Sequence, residues 1–365
     1  MAKSIRKWIH EGDDLESARR RTILWIIGVA LVIGLLGWFF HPFREKESLL
    51  VVSYDVTREL FTDLNAAYLA VNGVGKSPGV ILSHAGSVRQ AHNVARGLAA
   101  DIINFASQAD IDLVSRRHVG IDSDWRERFP YGSSPYQSTI VFLVRKGNPR
   151  NIQDWGDLFR EDVRIVSPDP EVSGAGRYAY LAATVMATHR HLPAGPLHPD
   201  LAKLAWEDLV SLYARVEFIE LGARQALDVF RRRERGDVFL TWESEALRLA
   251  WAGDSELEIV TPSMSILAEP VVTIVDAHVD ARGTREGAML YVEFLFSPEG
   301  QAIVARNGFR PRQISADSSA FPAIKLISLA DAFGNGSTVW EEHFAPGGTF
   351  EALLRARGAR RGGVD

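Results

Sequence analysis

The sequence predicts an α/β protein made of repeated strand-to-helix units, and three features carry that prediction. Short runs of buried character, 49–54, 79–83 and 100–106, alternate with helical stretches, which is the pattern of a mostly parallel sheet covered by helices. Small residues occupy the junctions where strand gives way to helix. The clearest junction is RIVSPDPEVSGAGRYAYLAAT, 164–184, where a strand runs into the tight loop Ser173, Gly174, Ala175, Gly176 and then a helix. Small residues at a helix start leave consecutive N–H groups uncovered, and the macrodipole adds partial positive charge there, so such a loop suits an anion.

Composition narrows the field. The chain has 365 residues, 24% charged and 46% hydrophobic, with a net charge of −5, an ordinary globular balance with room for two medium lobes. No basic stripe of the kind that neutralises nucleic-acid phosphates is present, and the run Arg231, Arg232, Arg233 is short enough for a solvated helix face, so no nucleic-acid partner is expected. With no cysteine there is no disulfide, thiolate nucleophile, iron–sulfur cluster or Cys-bearing zinc site. No metal or cofactor is expected.

Taken in order, the chain opens with an uncharged apolar run over 23–40, long enough for about 27 Å of helix at 1.5 Å per residue. It ends in Trp38, Phe39, Phe40, too bulky for a signal-peptidase site, which predicts an uncleaved anchor. Lys3, Arg6, Lys7, Arg19, Arg20 and Arg21 precede the run and only Arg44 and Lys46 follow closely. The positive-inside rule then predicts a cytoplasmic 1–22, a transmembrane helix over 23–40 in contact with the lipid bilayer, a linker over 41–48, and the remainder on the outer face of the inner membrane.

Beyond the linker, strand 49–54 leads to Asp55, which can cap a helix through Tyr68. Strand 79–83 leads to His84, Ala85, Gly86, Ser87 and a helix to Gly97, and 100–106 is another buried strand. The long β-branched strand 138–145 starts a second α/β unit, which passes through the Ser173 loop. It continues with strand 216–220, the turn Leu221, Gly222, Ala223, a helix bearing Arg224, strand 236–241, and Trp242 at the next helix start. In such sheets ligands sit at the carboxyl ends of the strands, where all these loops lie. A strand over 270–275 and a helix over 283–296 follow, and the tail from Gly358 is polar.

Six stretches, VSYDVTREL (52–60), SHAGS (83–87), SSPYQSTIVFLVRKGNP (133–149), GDVFLTWESEA (236–246), IVTPSMSILAEP (259–270) and YVEFLFSPEGQ (291–301), together resemble the periplasmic sulfate- and thiosulfate-binding proteins of ABC importers. The resemblance covers 50 to about 353. It implies the two-lobe periplasmic-binding-protein fold of type II, with lobe 1 over 49–138 plus 271–365 and lobe 2 over 139–270. It also implies an oxyanion held between the lobes by neutral donors. Asp55 and Ser87 would give backbone N–H groups from one lobe. Ser173 through its hydroxyl, Gly174, Ala175 and Ala223 through N–H, and Trp242 through its indole would come from the other. Arg58 and Arg224, just after donor loops, are read as supports behind them or, on spacing alone, equally as exposed helix residues. The sequence departs from the family pattern at Ala85, Val88, Arg89, Ala175, Gly176 and Tyr178.

The implied role is capture of sulfate or thiosulfate for ABC permease subunits. The alternative is a membrane-tethered oxyanion sensor or assembly module. An enzyme is not expected, because no nucleophile-elbow or metal motif accompanies Ser173, Asp169, Glu243 or the histidines.

Overall fold

The computed structural model describes residues 24–32, 48–73, 79–117, 119–191, 199–313, 321–334 and 338–361. The chain divides into two compact units, Met1–Glu45 and Lys46–Asp365. In the first, 24–32 is helical, with Leu24, Trp25 and Ile26 exposed. Among the described residues no helix is long and apolar enough to cross a membrane. The rest of the expected span, residue 23 and 33–40, lies outside the described residues, as do 1–22 and 41–47.

Among the described residues the second unit holds two main sheets, of four and five strands, and two smaller two-stranded ones. The first is built from β1 Leu49–Tyr54, α1 Arg58–Asn72, β2 Val80–Ala85, α2 Ser87–Ala95, β3 Ile102–Phe105 and α3 Gln108–Ser115. The second follows with β4 Ile140–Arg145, β5 Ile165–Pro168, α4 Gly174–His189, α5 Pro199–Ala214, β6 Val216–Glu220, α6 Ala223–Arg232, β7 Val238–Trp242, α7 Glu243–Trp251 and β8 Leu257–Val260. Then come β9 Met264–Ile266, β10 Val271–Ile274, α8 Arg285–Phe296, α9 Pro298–Arg306, β11 Lys325–Ile327, α10 Val339–Phe344 and α11 Thr349–Arg361.

The first sheet runs β10-β3-β1-β2, with β3, β1 and β2 parallel and β10 antiparallel beside β3. The second runs β6-β5-β7-β4-β8; β6, β5 and β7 are parallel, and β4 is antiparallel to both its neighbours. Both are therefore mixed, with a parallel core. Strand LLVVSY carries an almost unbroken buried face on each side, as a covered parallel strand must. Helix α4 is buried nearly all round, from Gly174 through Ala187, because it lies between its sheet and further helices.

The chain crosses between the sheets twice, and the two crossings are bonded to each other. Ser138 N–H donates to Ala268 O at 3.1 Å and Ala268 N–H to Ser138 O at 2.9 Å. Thr139 Oγ1 donates to Ile266 O at 2.7 Å, and Ser265 Oγ to Ile140 O at 2.9 Å. This isolated bridge lies where the chain passes between the lobes, and loop and element-terminal residues at such a place can act as a hinge. Helices α8 and α9 pack on α1, within the first lobe. The last two helices do not follow the division expected from the sequence, which placed everything after 271 with that lobe. Helix α11 packs on α5, Tyr180 of α4 meets Phe344 and Phe350 at 5.4 and 5.2 Å, and its hydroxyl lies 2.8 Å from His343 Nδ1. The aromatic side chains of α10 and α11 complete the cover of the otherwise exposed outer face of α4.

Candidate functional site

The carboxyl ends of β1 and β2 face the carboxyl ends of β5, β6 and β7 across the hinge, and glycines let the facing loops touch. A Cβ placed on Gly86 would stand 2.4 Å from Val172 O, and one on Gly174 would stand 2.3 Å from Ala106 Cβ and 3.3 Å from Ser87 Cβ. One on Gly222 would lie 3.2 Å from Asp55 Oδ2. Each contact joins the first lobe to the second. The Asp55, Ser87, Ser173 to Ala175 and Ala223 loops are thus brought together, as Trp242 is by its neighbours: its ring lies 6.4 Å from Tyr54 of the first lobe and 5.1 Å from Tyr178 of the second.

Each loop presents the start of a helix. In α4 the first ladder bond is Arg177 N–H to Ser173 O at 3.0 Å, so the N–H groups of Gly174 and Ala175 precede it. Ser173 Oγ is an N-cap acceptor, taking Gly176 N–H at the long distance of 3.4 Å. In α2 the ladder begins with Gln90 N–H to Gly86 O at 2.9 Å, ahead of which lies Ser87 N–H; in α6 it begins with Ala226 N–H to Gly222 O at 3.0 Å, after Ala223. The Ser87 hydroxyl is already engaged: it donates to Asp110 Oδ2 at 2.7 Å and accepts from Ala106 N–H at 2.9 Å. What Ser87 has left for a ligand is its backbone.

Trp242 ends β7, is 1% exposed, and its indole N–H has no hydrogen-bond partner among the described residues. Buried N–H groups are nearly always paired, so an orphan donor walled by two tyrosines marks a place where a ligand or water accepts.

Charges surround the loops in compensating pairs. Asp110, fully buried, receives Arg177 Nη1 at 3.1 Å across the lobe boundary, and Arg177 also donates through Nε to Pro170 O at 3.1 Å. Burial pulls the Arg177 guanidinium below its ordinary value, and the Asp110 charge opposes that. Arg224 joins Glu59 Oε2 of the first lobe at 2.7 Å and Glu245 Oε2 at 3.3 Å. It is the second residue of α6, directly after Ala223. Arg58 is exposed, and its charge acts on His84. Burial first, and then Arg58, push the His84 imidazole down to about 4, while its Nδ1 lies 2.8 Å from Ser53 Oγ. The Asp55 carboxyl is held above the usual carboxylate range by burial and by the Glu245 charge; Arg224 and the N–H groups of Val56 and Ala223 pull the other way. The Asp55 side chain therefore lies against the start of α6, as an anion would.

Asp110, Ala106 and Arg177 were not picked out from the sequence. Asn104, Phe105, Ala106, Ser107, Gln108 is one more strand-to-helix junction, and that local signal was present. The pairing of Asp110 with Ser87 and Arg177 had none, because it joins residues 23 and 67 positions apart.

A family described as "Bacterial extracellular solute-binding protein" matches residues 49–310. The sulfate-binding protein of Escherichia coli is 44% identical over 337 residues, 91% of this chain and 99% of that one. The thiosulfate-binding protein of Pseudomonas aeruginosa is 36% identical, over 88% of this chain and 96% of its own length. Among solved structures, the sulfate-binding protein SubI of Mycobacterium tuberculosis has a TM-score of 0.71 and 28% identity, covering 82% of this chain and 99% of that one. A periplasmic thiamin binding protein, at 16% identity and a TM-score of 0.62, shares the fold alone. The expected single-pass placement in the inner membrane is corrected here: the matched family is described as extracellular, and no helix among the described residues is fit to span a bilayer. The chain belongs to the family of bacterial extracellular solute-binding proteins that includes these sulfate- and thiosulfate-binding proteins.

Proposed function

We propose that this chain captures sulfate or thiosulfate in the cleft between its lobes and delivers it to an ABC importer. The donors are the N–H groups of Asp55, Ser87, Gly174, Ala175 and Ala223, the Ser173 hydroxyl and the Trp242 indole. The lobes are 49–138 with the segments from 271 through α9, and 139–270 with the last two helices packed on it. One observation carries the reading: the Trp242 indole N–H, buried and without an acceptor, at the meeting point of the helix-start loops. The names of the relatives support the choice of anion.

The chemistry is consistent with that choice. A fully ionised oxyanion carries no proton, so amides, a hydroxyl and an indole satisfy it, whereas a hydrogen-bearing anion also needs an acceptor. None of these donors titrates between pH 5 and 8. Calorimetric titration with sulfate and thiosulfate should therefore give affinities that differ less than about threefold across that range. A steep fall in affinity, or no binding of either anion, would reject the reading. The chain acts as a carrier and turns over no substrate.

A further inference from the structure

The end of β3 is built like the junctions at Asp55 and Ser87, and it carries a group that nothing else in the fold uses. The strand stops at Phe105, Ala106 and Ser107 turn the chain, and α3 begins at Gln108. This turn reaches the opposite lobe, since Ala106 Cβ would lie 2.3 Å from a Cβ on Gly174. It is held there by Ala106 N–H donating to Ser87 Oγ at 2.9 Å. Ser107 follows directly, is 2% exposed, and its hydroxyl has no hydrogen-bond partner among the described residues. It occupies the N-cap position of α3 with extended backbone, yet makes no capping bond, the usual fate of a serine at that position. Buried hydroxyls are seldom left unpaired, and one that neither caps its own helix nor bonds a neighbour points to a partner from outside the chain.

We infer that the Ser107 hydroxyl is a further hydrogen-bond donor to the bound oxyanion, supplied by the β3–α3 turn beside Ser87 and the Gly174 loop. The inference rests on the reading of the cleft as an oxyanion site. A hydroxyl rotates to meet an acceptor and is neutral across the physiological range, so it adds a donor without adding charge or pH dependence. It stands on the first lobe, whose donors are otherwise backbone groups. Closure would then bring an unpaired side-chain donor to the anion from each side.

The test is calorimetric titration of the full chain with sodium sulfate, using the unmodified protein, Ser107→Ala, Ser107→Cys and Ser107→Thr. Ser107→Ala is expected to weaken binding roughly tenfold, the scale of one hydrogen bond to a charged group. Ser107→Cys keeps the shape but donates weakly and should lose nearly as much, while Ser107→Thr keeps the hydroxyl and should stay within about threefold. Thermal unfolding without sulfate should be unchanged in Ser107→Cys, which ties its loss to the ligand. Binding by Ser107→Ala and Ser107→Cys equal to that of the unmodified chain overturns the inference and leaves the cleft's function intact. Failure of the unmodified chain to bind sulfate overturns that function and the inference with it.

Discussion

On the first lobe's side of the cleft the junction side chains identified from the sequence are already engaged. Ser87 Oγ is held by Asp110 and Ala106, and the Asp55 carboxylate accepts Val56 N–H at 3.1 Å. On the second lobe's side, among the described residues, the Ser173 hydroxyl has one long contact, of 3.4 Å, and the Trp242 indole has none. The difference teaches where each kind of substitution should register. The Ser87 and Asp55 side chains position loops whose amides remain for the ligand, so altering them acts on folding and closure. Second-lobe side chains are themselves available to the ligand, so altering them acts on affinity.

The largest expected effect tests the first half of that contrast. Asp110→Ala leaves Arg177 buried without its carboxylate and releases Ser87 Oγ; removing one member of a buried pair costs about 3–5 kcal/mol. Chemical denaturation should show a loss of that order, and a loss below about 1 kcal/mol would mean that Arg177 finds water instead. Next comes Gly174→Ala, which would force a methyl to within 2.3 Å of Ala106 Cβ across the lobe boundary. Overpacking of this kind costs about 1–3 kcal/mol. It should appear as weaker sulfate binding with little change in the melting of the ligand-free chain, and unchanged affinity would show that the lobes need not meet there.

Trp242→Phe probes the second half. It keeps ring packing against Tyr178 but removes the unpartnered N–H. Affinity should fall by about 1–3 kcal/mol while ligand-free stability holds or rises, since a buried orphan donor has been deleted. Equal affinity for the two proteins would take Trp242 out of the site and break the contrast.

The smallest effect is a pH dependence of the first lobe's stability. His84 titrates near 4 when folded and near 6.5 when unfolded. Between those values the unfolded chain binds a proton that the folded chain refuses, so stability is full above about pH 6.5 and falls as pH drops toward 4. His92 and His343, also lowered chiefly by burial, act in the same sense; the raised Asp55 acts oppositely near the bottom of the window. The groups around His84 are Ser53, Arg58, Glu59 and Arg224. Because His84 is only partly buried, roughly 1 kcal/mol is expected between pH 7 and 5 after solvent screening. Unfolding curves of His84→Gln at those two pH values should show a shallower slope than the parent, and identical slopes would assign the effect to the other histidines.

The alternation of strand and helix, the small residues at each junction and the resulting row of helix starts were all determined by the sequence on its own. Each depends on residues within about ten positions of one another, where periodicity and turn chemistry act. Trp242 at the end of its strand belongs to the same class. The membrane anchor at the amino terminus was read from hydropathy, the bulky exit and the flanking charges, and that reading did not survive comparison with the family and the described helices. Only the tertiary structure decided that Asp110 would hold both Ser87 and Arg177, that Glu59 would meet Arg224, and that the last two helices would cover α4 and α5. Those contacts link distant segments and distinct lobes. They depend on how packed surfaces meet, and no local pattern of residue types encodes the partner a buried charge will find.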